Sequence, residues 1–267
     1  MSNLAGLGRE VEGISRPANR CNGCKSFRIS NGQVPYALAT GNHDHGSSGV
    51  GSDRFTYVND FFPASNFEAW PTFGGTMQPD RIENSFHLFS AGGVDWIIFA
   101  LEWGPRNSPV AWASQVLSNY PTRKAILITH AYMYFDDTRY DWAVKGAAQI
   151  WNPHSYGTAS DPDGTNDGEE LWQKLIKVHP NFVMVFNGHV LDDGLGRLST
   201  TNNFGGFVHQ MLVNYQMKAL GGEAFLRLVE FHPDGKTVQV KAYSPYYGTY
   251  KTDPQNQFQL TLEPPLF

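Results

Sequence analysis

Cysteine is nearly absent: the chain of 267 residues has two, Cys21 and Cys24. Two cysteines cannot staple a small disulfide scaffold, and a chain this long needs none, since it can bury roughly 70–75% of its unfolded surface. They form a single CxxC, which reads as half a zinc site, a redox pair or coincidence, and it leaves the compartment open. Charge is also scarce. Asp, Glu, Lys and Arg make up 17% of the chain, against roughly 25% in an average soluble domain, which excludes a coiled coil and a disordered acidic tail. Positive charge is not in excess: 20 Lys+Arg against 25 Asp+Glu give −5, which argues against nucleic acid as an electrostatically steered partner. No stretch approaches the ~20 apolar residues of a membrane span. The opening MSNLAGLGREVEG shows no basic start followed by an apolar run, so no signal peptide is visible. No internal repeat or low-complexity tract is present.

What the chain has instead is aromatic residues, at 14%, with 27 Gly and 16 Pro. This is the profile of a compact, loop-rich protein whose aromatics can also line a cleft. Residues 1–33 carry no apolar period and read as an unpatterned lead-in, with one domain over 34–267. Val34 to Thr40 reads as a buried strand and Asp53 to Phe62 as a short aromatic helix. Ser85–Phe89, the Ala91-Gly92-Gly93 turn and Trp96–Leu101 read as a hairpin. Ser108-Pro109 starts a helix that runs to about Asn119. Lys124–Thr129 is a further buried strand. The aromatic, irregular stretch from Ala131 to Gly168 is long enough to suggest function. Asp167 caps a helix from Glu169 to His179, and Phe182–Phe186 is the next strand. Strands then follow one another over 206–215, 224–231 and 238–243, the last two joined by an Asp234-Gly235 turn. The order predicts a mixed α/β domain ending in antiparallel strands.

Three polar clusters each follow an apolar strand: Asn42-His43-Asp44, His130 and His189. In open α/β sheets ligands gather at the carboxyl ends of strands, so residues far apart in sequence can converge there. Asn and several His, with a carboxylate nearby, suit a divalent cation such as Mn, Fe or Zn. His45 and His154 lie in loops and are weaker candidates to line such a site. His87, His179, His209 and His232 read as hydrogen-bonding residues within elements or beside turns.

At these positions the sequence resembles the calcineurin-like metallophosphoesterases. Gly41-Asn42-His43-Asp44 looks like that family's GNH[DE] motif, Thr129-His130 like its strand-end metal histidine, and Gly188-His189 like the start of its GHxH motif. The stretches 101–106, 166–169 and 210–216 are similar to a bacterial branch whose members are often extracytoplasmic. The resemblance implies a four-layer α/β/β/α sandwich and a hydrolase in which a metal-bound water attacks a phosphate ester. It implies Asn42, His130 and His189 as ligands of the second of two cations. It also implies that His43 protonates the leaving oxygen, with Asp44 orienting its ring. The family's DxH and GDxxD motifs, which supply the first cation's ligands, have no match before Asn42, so the first β-α-β unit is expected to be missing. Leu191 stands where the second His of GHxH belongs. The chain thus carries ligands for one cation of the pair, and a non-catalytic protein binding a glycan or phospho-ligand on the aromatic loop is the alternative.

Overall fold

The structure, a computed structural model, describes residues 34–262. The lead-in and the Cys21/Cys24 pair lie outside the described residues. Seven strands, β1 (Phe73–Gln78), β2 (Arg81–Ala91), β3 (Val94–Ala100), β4 (Lys124–Ile128), β5 (Phe182–Asn187), β6 (Leu195–Thr201) and β7 (Phe207–Val213), form one sheet. Its order is β1-β2-β3-β4-β5-β7-β6. β3, β4, β5 and β7 run parallel, and the flanking pairs are antiparallel. β8 (Leu226–Phe231), β9 (Thr237–Ser244), β10 (Thr249–Lys251) and β11 (Phe258–Thr261) form a second sheet around β9.

The parallel strands are continuous apolar runs because both of their faces are covered. In β3, Ile97 and Phe99 point to one core, with Leu127, Val185 and helix residues Val110, Ala113, Leu117, Leu171 and Leu175. Trp96, Ile98 and Ala100 point to the other, with Ile126, Met184, Phe186 and, from the second sheet, Val238, Val240 and Leu260. Successive side chains on a strand point to opposite faces, so one run serves two cores. Each fully buried Ile or Phe contributes about 1.5–3 kcal/mol. β9 alternates half-buried and buried positions along its length, as expected of a strand with a single covered face. The described layers are therefore helix, mixed sheet and second sheet, which establishes the mixed α/β class.

Three expectations are corrected. Val34–Thr40 is extended but joins no ladder. Ala37 and Ala39 pack into the second core while Tyr36 and Leu38 pack against Val58, Phe67 and Ile82, so the two-residue alternation is kept without a strand partner among the described residues. The helix expected over 53–62 contracts to α1 (Val58–Phe61), followed by α2 (Ser65–Glu68). Asp53 instead accepts from the Ser47 and Phe55 N–H groups, folding its loop back on itself. The helix expected to follow Asp167 splits into an α-turn at Gly168–Leu171 and a wider π-turn at Trp172–Ile176. β1, β6, β10 and β11 were not anticipated; they are short or half-exposed, and their apolar pattern is correspondingly weak.

The hairpin β2–β3 forms as expected, and α3 (Asn107–Ser118) follows it. The start of α3 is closed by Asp163, which accepts from the Ser108 N–H (3.1 Å). The Asp234-Gly235 turn also forms, with Asp234 Oδ1 accepting from the Lys236 and Thr237 N–H groups. No helix among the described residues is long and apolar enough to cross a membrane.

His87 lies in the core on β2, edge-on to Phe67 and Phe73. Burial lowers its pKa from 6.5 to about 4. A histidine kept neutral by the fold takes up a proton on unfolding, so the stability it contributes is present above pH 6.5 and is lost as the pH falls towards 4. We expect this residue to account for a slope of up to about 1.4 kcal/mol per pH unit within that window. Denaturant unfolding of His87→Phe against the parent chain checks it: the variant should show the shallower slope, and equal slopes would refute the assignment.

Candidate functional site

The parallel ladder continues past the ends of its strands. Leu101 N–H donates to Ile128 O (3.1 Å), Thr129 N–H to Phe186 O (3.2 Å) and Gly188 N–H to His130 O (3.0 Å). These bonds bring His130, after β4, level with His189, after β5, and their ring centroids are 4.9 Å apart. Gly41 ends the extended segment and leads into a single 3₁₀ turn, Asn42–Asp44. Asp44 Oδ2 accepts from the Gly41 N–H (2.7 Å) and caps that turn. The turn presents Asn42 inward, where its Oδ1 is 3.1 Å from His130 Nε2. Asn42, His130 and His189, expected from sequence to share a site, are brought together. His43 is exposed beside them.

His189 is held in place from several sides. Its backbone has φ +73°, a left-handed conformation that costs a non-glycine residue about 1–3 kcal/mol. Asn214 Nδ2 donates to the carbonyls of His189 (3.3 Å) and Val190 (3.1 Å) and pins this turn. The imidazole Nε2 meets Trp151 O at 2.9 Å. A carbonyl only accepts, so Nε2 carries the proton and Nδ1 carries the lone pair. Burial lowers the pKa of His189 to about 4, opposed by the bond to Trp151 and reinforced by His43. His130 is pushed well below 6.5, first by burial and then by His189, His43 and His45. Both rings are therefore neutral near pH 7, the form a metal ion requires.

Aromatic side chains wall the pair. Trp103 is fully buried, with its ring 5.7 Å from His130, 4.9 Å from His189 and 4.9 Å from Tyr156. Its Nε1 donates to Thr158 Oγ1 (3.1 Å), which ties the 131–168 loop over the site. That loop carries α4 (Trp142–Lys145) and short 3₁₀ turns and is anchored by buried Asn152 and Asp167. Trp103 was not singled out as a site residue, although it follows β3 as His130 follows β4, so the strand-end rule that found the histidines applies to it as well. Asn214 likewise comes directly after a parallel strand, β7, so the same rule reaches it; the Trp151 carbonyl has no such signal, because it is main chain.

The weaker candidates lie elsewhere. His45 is buried and bonded to Thr40 Oγ1 (2.9 Å). His154 stacks on Trp142 and meets Glu170 Oε2 at 2.6 Å. His154, Asp167 and Glu170 form a compact group, but it is internally satisfied. Asp167 Oδ1 accepts from the Glu170 N–H, Asp167 Oδ2 from the Trp142 N–H and the Asn152 amide, and Glu170 Oε2 from the Asp167 N–H. This is a helix cap. His179 and His209 each meet a serine hydroxyl. Asp193 Oδ1 accepts from the Leu195 N–H (2.9 Å) and caps β6.

The donor set fits a divalent cation. The 3.1 Å between Asn42 Oδ1 and His130 Nε2 is a hydrogen bond in which the amide oxygen accepts, so a cation held by both atoms would take the place of the proton on Nε2. A second-row hydrogen bond that fixes the tautomer, as Trp151 O does for His189, is the usual companion of a histidine ligand.

No family model matches the chain, and no solved structure matches it. It is similar to the uncharacterized protein YvnB of Bacillus subtilis (strain 168), at 29% identity over 246 residues, which covers 86% of this chain and 16% of that protein. The chain thus spans about a sixth of that relative's length.

Gly41 has ordinary φ/ψ of −105° and 177°, but a Cβ there would meet the His130 ring at 2.8–3.0 Å. Gly41→Ala is expected to cost about 1–3 kcal/mol through overpacking and to shift the His130 imidazole nitrogen resonances. Unchanged stability and resonances would show that the contact is not tight.

Proposed function

We propose that the chain is a metal-dependent phosphoesterase of the calcineurin-like metallophosphoesterase type, built on that family's α/β/β/α plan. The observation that carries this reading is the convergence of Asn42, His130 and His189 from three separate chain segments beside an exposed His43. Asn42 Oδ1, His130 Nε2 and His189 Nδ1 would hold one divalent cation, Mn, Fe or Zn. When bound, the cation supplies positive charge to a phosphoryl oxygen. His43 delivers a proton to the leaving oxygen, and Asp44 fixes the turn that places both His43 and Asn42. Trp103, Tyr156 and the 131–168 loop keep water from the far side of the histidine pair. The substrate class is a phosphate ester.

The absence of DxH and GDxxD motifs in residues 34–262, and of a donor at Leu191, supports a second reading: a non-catalytic binding protein with a glycan or phospho-ligand on the 131–168 loop.

The two readings separate experimentally. With Mn or Zn and an aryl phosphate, the purified chain should hydrolyse the ester, and His43→Ala should lower kcat by 10²–10⁴-fold while metal content stays constant. His189→Gln should lose metal as well as activity. Hydrolysis that is absent, or unaffected by His43→Ala, would refute the catalytic reading; ligand binding through Trp142 in a metal-free chain would support the other.

A further inference from the structure

A cavity of about 140 Å³ lies at the end of β3 and is lined by the turn between β1 and β2 and by residues around Glu102. Three guanidiniums, Arg54, Arg81 and Arg106, and two carboxylates, Glu83 and Glu102, face it. Counting His45 neutral, the lining guanidiniums outnumber the lining carboxylates by one, and Asp161, which does not line the cavity, pairs with Arg54. Most of these charges are already committed. Glu102 accepts from Arg106 Nε (2.7 Å) and NH2 (3.0 Å) and from Asn84 Nδ2 (2.9 Å). Arg54 donates to the carbonyls of Trp103 and Gly164, and Arg81 to Glu83 Oε1.

Two polar atoms on residues lining this cavity are buried and have no hydrogen-bond partner, Glu83 Oε2 and Arg54 Nε; the buried His45 ring is held by Thr40 and the Arg54 main chain. The Glu83 and His45 residues are 4% and 3% exposed, and Arg54 Nε is 3.8 Å from Asp161 Oδ2, beyond hydrogen-bond reach. Buried polar groups are nearly always paired, so two orphans, one an acceptor and one a donor, on residues lining one polar cavity call for an occupant. The occupant must offer acceptors to guanidinium donors and a donor to a carboxylate oxygen. A phosphate group that retains one proton offers both; sulfate offers acceptors only.

We propose that this cavity is an anion subsite for a protonated phosphate group, bound by Arg54 and Arg81 with its P–OH donated to Glu83. The phosphate is either free inorganic phosphate or a second phosphoryl group on the substrate. The site itself stands independently of the phosphoesterase reading; only the substrate-borne source rests on it.

The test is titration calorimetry on the full chain, stripped of metal by chelation, at about pH 6, where inorganic phosphate carries at least one P–OH and sulfate carries none. Phosphate is expected to bind at least about tenfold more tightly than sulfate. Glu83→Gln should close that gap to within about twofold, since an amide can donate to sulfate. Arg81→Gln, at a largely exposed side chain, should weaken both anions about tenfold; because Arg81 also pairs with the buried Glu83, the titration is run below the onset of unfolding of the variant, read from its Tm. Equal affinity for the two anions, or no heat up to about 10 mM phosphate, would overturn the proposal. So would phosphate binding that survives Arg81→Gln and disappears in His189→Gln, because the anion would then belong to the histidine cluster. With metal restored, a drop in kcat/KM for a bisphosphate but not a monophosphate in Arg81→Gln assigns the subsite to substrate. Equal ratios alongside weakened phosphate binding assign it to free phosphate.

Discussion

The parallel register of β4 on β5 is the constraint on which the site depends. Ile126 pairs with Met184, Leu127 with Val185 and Ile128 with Phe186, and the same ladder carries on to Thr129 and Gly188. A slip of β4 by one residue would turn each of its side chains to the opposite face, moving Leu127 out of the helix-side core and Ile126 and Ile128 out of the sheet-side core. Two buried faces therefore fix the register from both sides. Once it is fixed, the first residues past each strand are level, and His130 and His189 come together as a consequence of core packing.

The cover over that pair is held by a few buried polar groups. Arg54 joins the loop after the Asn42 turn to the carbonyls of Trp103 and Gly164, and Thr165 Oγ1 donates to Gly104 O (2.9 Å). Glu102 sits under this junction, 3% exposed. Burial raises its pKa, but the hydrogen bonds and charge of Arg106, with Arg54 and Asn84, bring it below the ordinary range. Leaving either partner unmatched in such a pair costs about 3–5 kcal/mol. The segment 101–106 is thus structural at Glu102 and Arg106 and lines the site at Trp103.

The sequence was most legible where burial is complete. The runs at Trp96–Ala100, Ala125–Ile128 and Phe182–Phe186 declare themselves because both faces are covered, and a polar residue directly after such a run stands out. Val34–Thr40 carries the same apolar signal, yet alternation and burial do not by themselves supply a neighbouring strand. β6 was missed because its Arg197, Ser199 and Thr201 face outward and break the apolar pattern. The long loop read as irregular, and its order comes from side chains such as Asn152 and Asp167 bonding to main-chain groups, which no local period announces.

The histidines themselves separate into two kinds. His87, His179 and His209 meet the hydroxyls of Ser85, Ser114 and Ser199 and have ordinary backbone geometry, as side chains that simply satisfy a polar group in a packed region do. The rings of His130 and His189 lie tilted against each other, 4.9 Å apart, and their nitrogens meet an amide oxygen and a main-chain carbonyl. His189 also holds a left-handed backbone that Asn214 must secure. Strain of this kind persists only where surrounding contacts over-determine it. A histidine serving the core alone would gain by relaxing. Asn214 and the Trp151 carbonyl together hold this backbone and ring, and so keep the His189 imidazole beside His130.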